Sequence, residues 1–121
     1  MRMWMLPPEI MCNKHLLGEH HEIHMLEGCL LKGKSVEWAL YGMVFPMAAP
    51  LRHEAIVKEM LRRGMLHSSI LRASIFPSYE KMPYFLEDTE HNRAELYMRC
   101  VACRELQRKA KDTAEGLKTE V

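Results

Sequence analysis

The chain has 121 residues, 48% of them hydrophobic and 27% charged, which is typical of one folded domain rather than of a disordered segment. Its formal net charge of +1 creates no strong overall field, so charge balance alone does not indicate a nucleic-acid-binding protein. No apolar run reaches the length of a membrane span and no secretory signal is visible, so we expect a cytoplasmic protein whose four cysteines are free thiols.

Three stretches of the sequence have a helical pattern, and no segment supports a sheet. The first helix is expected over residues 7–33, because a proline pair at its start suits the first turn of a helix. The second is expected over residues 50–63, where two arginines followed by Gly64 form a stop signal. Residues 65–87 are expected to form a long ordered loop.

A third helix is expected to start near Asp88 or Thr89, which suit an N-cap and are followed by acidic residues. It should carry Cys100 and Cys103 towards the core and then become a polar surface segment. The sequence therefore predicts an all-α fold: a compact single domain of three main helices over residues 1–108. Residues 109–121 are expected to form a polar, frayed C-terminal tail.

In the first helix, a rotation of about 100° per residue places a mostly apolar set of residues on one stripe. The stripe comprises Met11, His15, Gly18, Glu22, Met25, Leu26 and Cys29. Apolar residues extend this stripe along one edge, and Lys14, His21 and Lys32 form the flank along its other edge. A carboxylate on a stripe that faces the core is costly unless it is paired, hydrated or functional. Glu22 is therefore either a partner of Arg62, Arg63 or Arg93 in an interhelical ion pair, or a functional group.

The histidines of the first helix raise the question of a metal site. His20 and His24 are four residues apart, a spacing that suits two ligands on one helix face. However, the run from His21 to His24 misses the HExxH pattern by one residue, and this helix alone does not supply three or four ligands. We expect His20 and His24 to lie on the polar side of the helix and to bind no metal.

Cys100 and Cys103 have the CxxC spacing, but the motif stands alone and falls in the middle of a predicted helix. A redox motif normally opens a helix after a strand, where the helix N-terminus lowers a thiol pKa. A zinc site would need a second ligand pair, and Cys12 and Cys29 lie in different turns of the first helix. The favoured interpretation is a pair of small buried side chains, so we expect no metal ion and no other cofactor.

Three segments carry a more specific signal when they are taken together. The first segment is residues 1–22. It contains the runs Met1-Arg-Met-Trp-Met-Leu-Pro-Pro-Glu9 and Lys14-His-Leu-Leu-Gly-Glu-His-His-Glu22. The others are residues 52–67, from Arg-His-Glu-Ala to Gly-Met-Leu-His, and the run Arg99-Cys-Val-Ala-Cys-Arg104. In this order and spacing they resemble the pyrimidine-dimer DNA glycosylase family, which comprises DNA glycosylases and abasic-site lyases of the phage endonuclease V type.

The resemblance implies that the N-terminus packs between the helices, against the first of them. It also implies that the α-amine of Met1 is the nucleophile and that Glu22, twenty-one residues further, is the catalytic carboxylate. Because Arg2 is too large for normal removal of the initiator, we expect Met1 to be retained. The resemblance and the charge pattern together predict DNA contacts at Arg2, Lys14, His15, His21, Lys32, Lys34 and Arg62.

The implied chemistry needs only an amine and a carboxylate. An α-amine has a pKa of about 7.7–8.0, well below the value of about 10.4 for lysine, so a usable fraction is neutral at neutral pH. The amine would form an imine with the sugar, and Glu22 would stabilise the cation and assist β-elimination. The expected partner is double-stranded DNA with ultraviolet-induced or abasic lesions. We expect the protein to act as a monomer and not to bind a membrane.

Two departures from the family pattern leave the lesion open. His21 and Met25 stand at arginine positions of better-known relatives, and residues 114–121 lack the aromatic tail that relatives press against DNA. Abasic-site cleavage is expected to survive these losses, whereas specificity for pyrimidine dimers is in question. The alternative is a non-catalytic helical module that binds nucleic acid or protein, in which Glu22 is locked in an ion pair. A small metal-binding protein is a third possibility.

Overall fold

A computed structural model describes residues 2–34, 46–76 and 89–119, with side chains in the last segment from residue 90 to 112. All regular elements in these ranges are helical: α1 (Asn13–Leu31), α2 (Ala49–Arg62), α3 (Thr89–Arg99) and α4 (Val101–Thr119). Short 3-10 turns lie at Pro8–Ile10 and Ala73–Ile75. The prediction of an all-α single domain is confirmed. None of the helices in these ranges is long and apolar enough to cross a membrane.

The proline pair begins a separate 3-10 turn rather than the first long helix. Pro8 occupies the first position of that turn, and the chain is extended at Met11 (φ −99°, ψ 136°) and at Cys12 (φ −69°, ψ 164°). The long helix therefore begins at Asn13, several residues later than predicted. A proline suits the first turn of any helical segment, so it did not specify how far the segment would continue.

The predicted third helix is two helices, because Cys100 interrupts it. The Cys100 amide still bonds to the Leu96 carbonyl at 3.0 Å, and the Arg104 amide bonds to the Cys100 carbonyl at 2.9 Å. Cys100 thus ends α3 and precedes α4 in the position of an N-cap. The backbone of α4 remains helical as far as Thr119, where a frayed tail was expected from residue 109.

The buried face of α1 is rotated from the predicted stripe. Leu16, Glu19, Ile23 and Leu26 are its buried residues. Gly18 and Met25 are exposed, and Glu22 lies half-buried at the edge of the core. Leu16, Ile23 and Leu26 have the spacing of one helix face, and Glu19 rather than Glu22 lies on that face. The carboxylate that α1 places in the core is therefore that of Glu19.

Glu19 forms a buried ion pair with Arg52 of α2, with the Arg52 Nη2 donating to Glu19 Oε1 at 3.0 Å and Nε donating to Oε2. The same guanidinium donates to the carbonyl of Leu6 at 2.5 Å and contacts Met11 Sδ at 3.3 Å. The Trp4 amide donates to Glu19 Oε1 at 2.9 Å. One pair of charged residues therefore joins the N-terminal segment, α1 and α2.

The N-terminal segment is packed against α1, as the family resemblance implies. The side chains of Met3, Trp4 and Leu6 are buried, and Met5 has a left-handed backbone conformation (φ 57°) that turns the chain between its bonded neighbours. Arg2 ties the other end of the segment to α3. The path of residues 2–6 is therefore fixed at both ends.

Loss of one partner of the buried pair should destabilise the whole fold. We expect Arg52→Met to lower the free energy of unfolding by about 3–5 kcal/mol, because the Glu19 carboxylate would remain buried without its cation. Arg62→Ala is the matched control, since the Arg62 side chain is 65% exposed and should give a much smaller loss. Urea denaturation measures both values. Equal small losses would contradict the importance assigned to the buried pair.

Candidate functional site

Glu22 has no ionic partner in the part of the chain that the structure describes. Its Oε2 atom is buried and accepts no hydrogen bond from a described residue. Two of the expected partners, Arg62 and Arg63, both bind Glu59 instead, and Arg93 is exposed. Hydrogen bonds from Arg62, followed by those from Arg63, lower the pKa of the Glu59 carboxyl to about 2. The expectation of an interhelical ion pair at Glu22 is therefore wrong for the described residues.

A buried carboxylate oxygen without a partner is unfavourable, because it gives up hydration without a compensating hydrogen bond. Folded proteins keep few such groups, and those they keep often serve a purpose other than stability. Glu19, one turn earlier on α1, shows the contrast, since both of its oxygens accept hydrogen bonds. Glu22 is thus available to interact with a bound molecule.

The N-terminal segment reaches the same part of α1. Trp4 bonds to Glu19 through its amide and places its indole edge-on to His15, with 6.0 Å between ring centroids. Glu22 lies one further turn along α1, a rise of about 4.5 Å from Glu19. Trp4 is three positions from Met1, a stretch that spans at most about 11 Å. Met1, and with it the predicted pairing of its amine with Glu22, lies outside the described residues.

Arg2 is engaged within the protein at the level of this segment. Its Nη2 donates to Asn92 Oδ1 at 2.9 Å and to Glu95 Oε2 at 2.6 Å, and its guanidinium lies 4.1 Å from the Trp4 ring centroid. The Arg2 hydrogen bond lowers the pKa of the Glu95 carboxyl. Arg2 Nε and Asn92 Nδ2 are buried and have no described partner. Two hydrogen-bond donors therefore remain unused beside the N-terminal segment.

The exposed face of α1 gathers several of the residues predicted to contact DNA. Lys14, His21 and Lys32 are all exposed, and their spacing places them on one side of the helix with Gly18 and Met25 between them. Lys34 is exposed just beyond the end of α1, and Arg62 is an exposed residue of α2 that binds Glu59. His15 does not join this face.

His15 instead belongs to a cluster with three cysteines, here called the cysteine–histidine cluster (Cys12, His15, Cys100 and Cys103). The His15 Nδ1 atom lies 3.2 Å from Cys12 Sγ and 3.6 Å from Cys103 Sγ, and the Sγ atoms of Cys12 and Cys100 are 3.7 Å apart. Cys100 lies between α3 and α4, not in the middle of a helix as expected. Burial raises the pKa of the Cys103 thiol to about 12.

The sequence contains a signal for this cluster that the CxxC motif alone does not show. Cys12 and His15 are separated by two residues, as Cys100 and Cys103 are, so the chain carries two pairs of potential metal ligands with equal spacing. A comparison of cysteines alone pairs Cys12 with Cys29 and does not reveal this repeat. Cys29 is half-buried and lies outside the cluster.

A second group, the four-histidine cluster, comprises His20 and His24 of α1, His53 of α2 and His67 after α2. The ring centroid of His20 is 4.7 Å from that of His24 and 5.0 Å from those of His53 and His67. His20 and His24 therefore face α2, contrary to the expectation that they lie on the polar side. Sequence spacing gave no indication of His53 and His67, because they approach only through the packing of α1 on α2.

All four Nε2 atoms of this cluster are buried and have no hydrogen-bond partner among the described residues. Burial, followed by repulsion from neighbouring imidazoles, lowers the pKa of His20 and of His53 to about 4. The Nδ1 atom of His24 lies 3.6 Å from Glu27 Oε1. The rings of His20 and His53 are therefore neutral at neutral pH, and each of the four rings has a ligand nitrogen that lies within 4.8 Å of those of the other three.

Two open clefts lie elsewhere on the protein. One, of about 970 Å³, separates the Pro8–Ile10 turn from α3 and α4, and the other, of about 570 Å³, lies between α2 and residues 67–73. Neither is lined by Glu22, so neither marks the candidate active site. A carboxylate at the edge of the core, beside an exposed basic helix face, suits an extended polymer better than a small enclosed ligand.

Comparison with known proteins agrees with this interpretation. Residues 1–72 match the protein family described as pyrimidine dimer DNA glycosylase. Neither a curated protein nor a solved structure gives a significant match. The matched residues include the N-terminal segment, α1 with Glu22, and α2. Since the match covers more than half of the 121 residues, the chain belongs to the pyrimidine dimer DNA glycosylase family.

Proposed function

We propose that this protein is a DNA repair enzyme that acts as a DNA glycosylase and abasic-site lyase through an imine between its N-terminal α-amine and the sugar. The observation that carries the proposal is the Oε2 atom of Glu22, which is buried and has no hydrogen-bond partner among the described residues. It lies one turn beyond the residue that holds the N-terminal segment against α1. Family membership supports action on DNA that contains pyrimidine dimers.

The α-amine of Met1 is the proposed nucleophile. Its ordinary pKa of about 7.7–8.0 leaves part of it neutral at neutral pH, which lysine does not offer. The nitrogen forms a bond to C1′ of the damaged nucleotide while the bond from C1′ to the base breaks, and the base leaves with that electron pair and takes up a proton. The nitrogen lone pair then expels O4′ from C1′, which opens the sugar ring, and O4′ takes up the proton that the nitrogen loses. At an abasic site the amine adds to the C1′ aldehyde and water leaves. Both routes give a protonated imine.

Glu22 is the proposed catalytic carboxylate. A carboxylate in a half-buried position interacts strongly with the positive charge that develops on the sugar and on the imine nitrogen. It then accepts a proton from C2′, and the electrons released expel the 3′ phosphate by β-elimination, which cuts the strand. An oxygen without an internal hydrogen bond needs no rearrangement before either step.

The exposed face of α1 is the proposed contact with the DNA backbone. Lys14 and Lys32 lie near its two ends and would interact with phosphates, and His21 lies beside Glu22. A reactive carbon inside a duplex is reached by extruding a nucleotide, and an abasic or distorted site lowers the cost of that step. The modest basic charge of this face favours abasic sites over dimers as the better substrate.

Borohydride trapping tests the imine and its two residues together. Incubation with abasic-site DNA and sodium borohydride should give a covalent adduct, and chemical acetylation of the N-terminus should abolish it. Glu22→Gln should lower strand cleavage by roughly 10²–10⁴-fold, the usual contribution of a positioned acid or base. Glu54→Gln, which removes an exposed carboxylate of α2, is the control and should cleave normally.

Two outcomes would contradict the proposal in different ways. An adduct that survives N-terminal acetylation would assign the nucleophile to a lysine. DNA binding without any adduct or cleavage would favour the non-catalytic binding module with the same fold.

Glu22→Gln should also leave the fold as stable as before, since this carboxylate has no described ionic partner to lose. Glu19→Gln should lower the free energy of unfolding by about 3–5 kcal/mol, because it breaks the buried pair with Arg52. The two substitutions make the same chemical change one turn apart on one helix. Urea denaturation compares them, and a comparable loss in both variants would show that Glu22 is structural.

A further inference from the structure

We propose that the cysteine–histidine cluster binds a structural zinc ion through Cys12, His15, Cys100 and Cys103. The proposal rests on the geometry of the four side chains and not on the proposed enzymatic activity. Their ligand atoms all lie within 4.8 Å of one another, although two of the residues come from the start of α1 and two from the start of α4.

The separations between ligand atoms agree with a tetrahedral zinc site. Zinc lies about 2.3 Å from sulfur and about 2.0–2.1 Å from nitrogen, so a tetrahedron requires about 3.8 Å between two sulfurs and about 3.6 Å between sulfur and nitrogen. The Cys12 and Cys100 sulfurs are 3.7 Å apart. The His15 Nδ1 lies 3.6 Å from Cys103 Sγ and 3.2 Å from Cys12 Sγ. Three cysteines and one histidine form a closed ligand set typical of structural zinc.

Backbone amides already point at two of the sulfurs. The Cys12 amide donates to Cys103 Sγ at 3.2 Å, and the Cys103 amide donates to Cys100 Sγ at 3.4 Å. Such bonds stabilise the negative charge of a thiolate that coordinates a metal. Both ligand pairs also begin a helix, where the helix dipole favours negative charge. The amides and the helix dipole would therefore stabilise thiolates that are coordinated to a metal ion, whereas without the ion burial opposes ionisation of Cys103.

The Sγ···Sγ separation shows that Cys12 and Cys100 are not joined by a disulfide, whose sulfurs lie about 2.05 Å apart. A disulfide would also leave one of the three cysteines and His15 without a role. A zinc ion uses all four residues and joins the family-matched segment to α4, which lies beyond residue 72. It would supply stability that a small hydrophobic core provides only in part.

Metal analysis of protein purified without a histidine tag tests this site. The Cys103→Ser variant should contain less zinc than the unmodified chain, by about one ion per chain. Cys29→Ser is the matched control and should retain all its zinc, because Cys29 lies outside the cluster. Since Cys103→Ser could impair folding, cobalt substitution of the unmodified chain provides a second measurement. A tetrahedral cobalt–thiolate site absorbs by charge transfer in the near ultraviolet.

Retention of all zinc by Cys103→Ser would overturn the proposal, as would cobalt-loaded protein without the thiolate band. A disulfide found in freshly purified, air-protected protein would overturn it as well.

An independent observation indicates a second metal site. We infer that the four-histidine cluster binds a divalent transition-metal ion through the Nε2 atoms of His20, His24, His53 and His67. All four Nε2 atoms are buried and lack a described hydrogen-bond partner, and each ring offers a ligand nitrogen that lies within 4.8 Å of those of the other three rings. Four buried imidazole nitrogens without partners are unfavourable together, and a shared cation satisfies all of them. Imidazole ligands suit zinc, copper or nickel rather than magnesium or calcium.

The surroundings of this cluster resemble those of known metal-binding histidines. His24 turns its Nδ1 towards Glu27 Oε1 at 3.6 Å, and the other carboxylate oxygen of Glu27 accepts the Arg72 amide at 2.6 Å. A carboxylate behind a coordinating imidazole orients the ring and increases its basicity. His20 and His24 are each two residues from Glu22, which corresponds to a rotation of about 200° around the helix axis. The ion would therefore lie on a different face of α1 from Glu22. Its role would be to fix α1 against α2.

The two sites are distinguished by matched variants and by their spectra. His67→Gln should lower the metal content by about one ion per chain and leave the cobalt–thiolate band unchanged. His91→Gln, an exposed histidine of α3 outside the cluster, should retain all the metal. Equal metal content in His67→Gln and His91→Gln would overturn the second site without affecting the first.

Discussion

The position of the N-terminal segment depends on the buried ion pair between Arg52 and Glu19. Residues 2–6 belong to no helix, so their buried backbone groups need partners elsewhere in the protein. Glu19 accepts the Trp4 amide and Arg52 donates to the Leu6 carbonyl, on either side of Met5 in its left-handed conformation. Without this ion pair, the Trp4 amide and the Leu6 carbonyl would both lose the charged side chain to which they bond. The path of the N-terminal segment from Trp4 to Leu6 therefore depends on two side chains in the core.

Two carboxylates one turn apart on α1 illustrate how environment separates a structural role from the catalytic role that we propose for Glu22. Glu19 is buried, paired with Arg52 and bonded to the backbone, so its charge stabilises the fold. Glu22 lies at the edge of the core with one buried oxygen that has no described partner. A folded protein tolerates a few buried polar atoms without a hydrogen-bond partner. Such an atom suits a carboxylate whose proposed role is to interact with a transient cation.

The sequence predicted the helical class, the end of α2 and the packing of the N-terminal segment, the last from family resemblance. It placed the core stripe of α1 about one residue out of position, because Glu22 and Met25 fit the helical period almost as well as Glu19 and Ile23. The two clusters were missed for a physical reason. Cys12 and Cys100 are 88 residues apart, and their approach depends on tertiary packing that no local spacing reports. Only the repeated two-residue spacing within each ligand pair was visible in advance.

In the proposed reaction the α-amine of the first residue forms the covalent bond to the sugar. Mass spectrometry of trapped protein, cut into peptides after lysine, locates the reduced sugar. The modification should lie in the peptide of residues 1–14, on the amine of Met1 itself. A modification on the side chain of Lys14, Lys32 or Lys34, with an unmodified N-terminus, would contradict it.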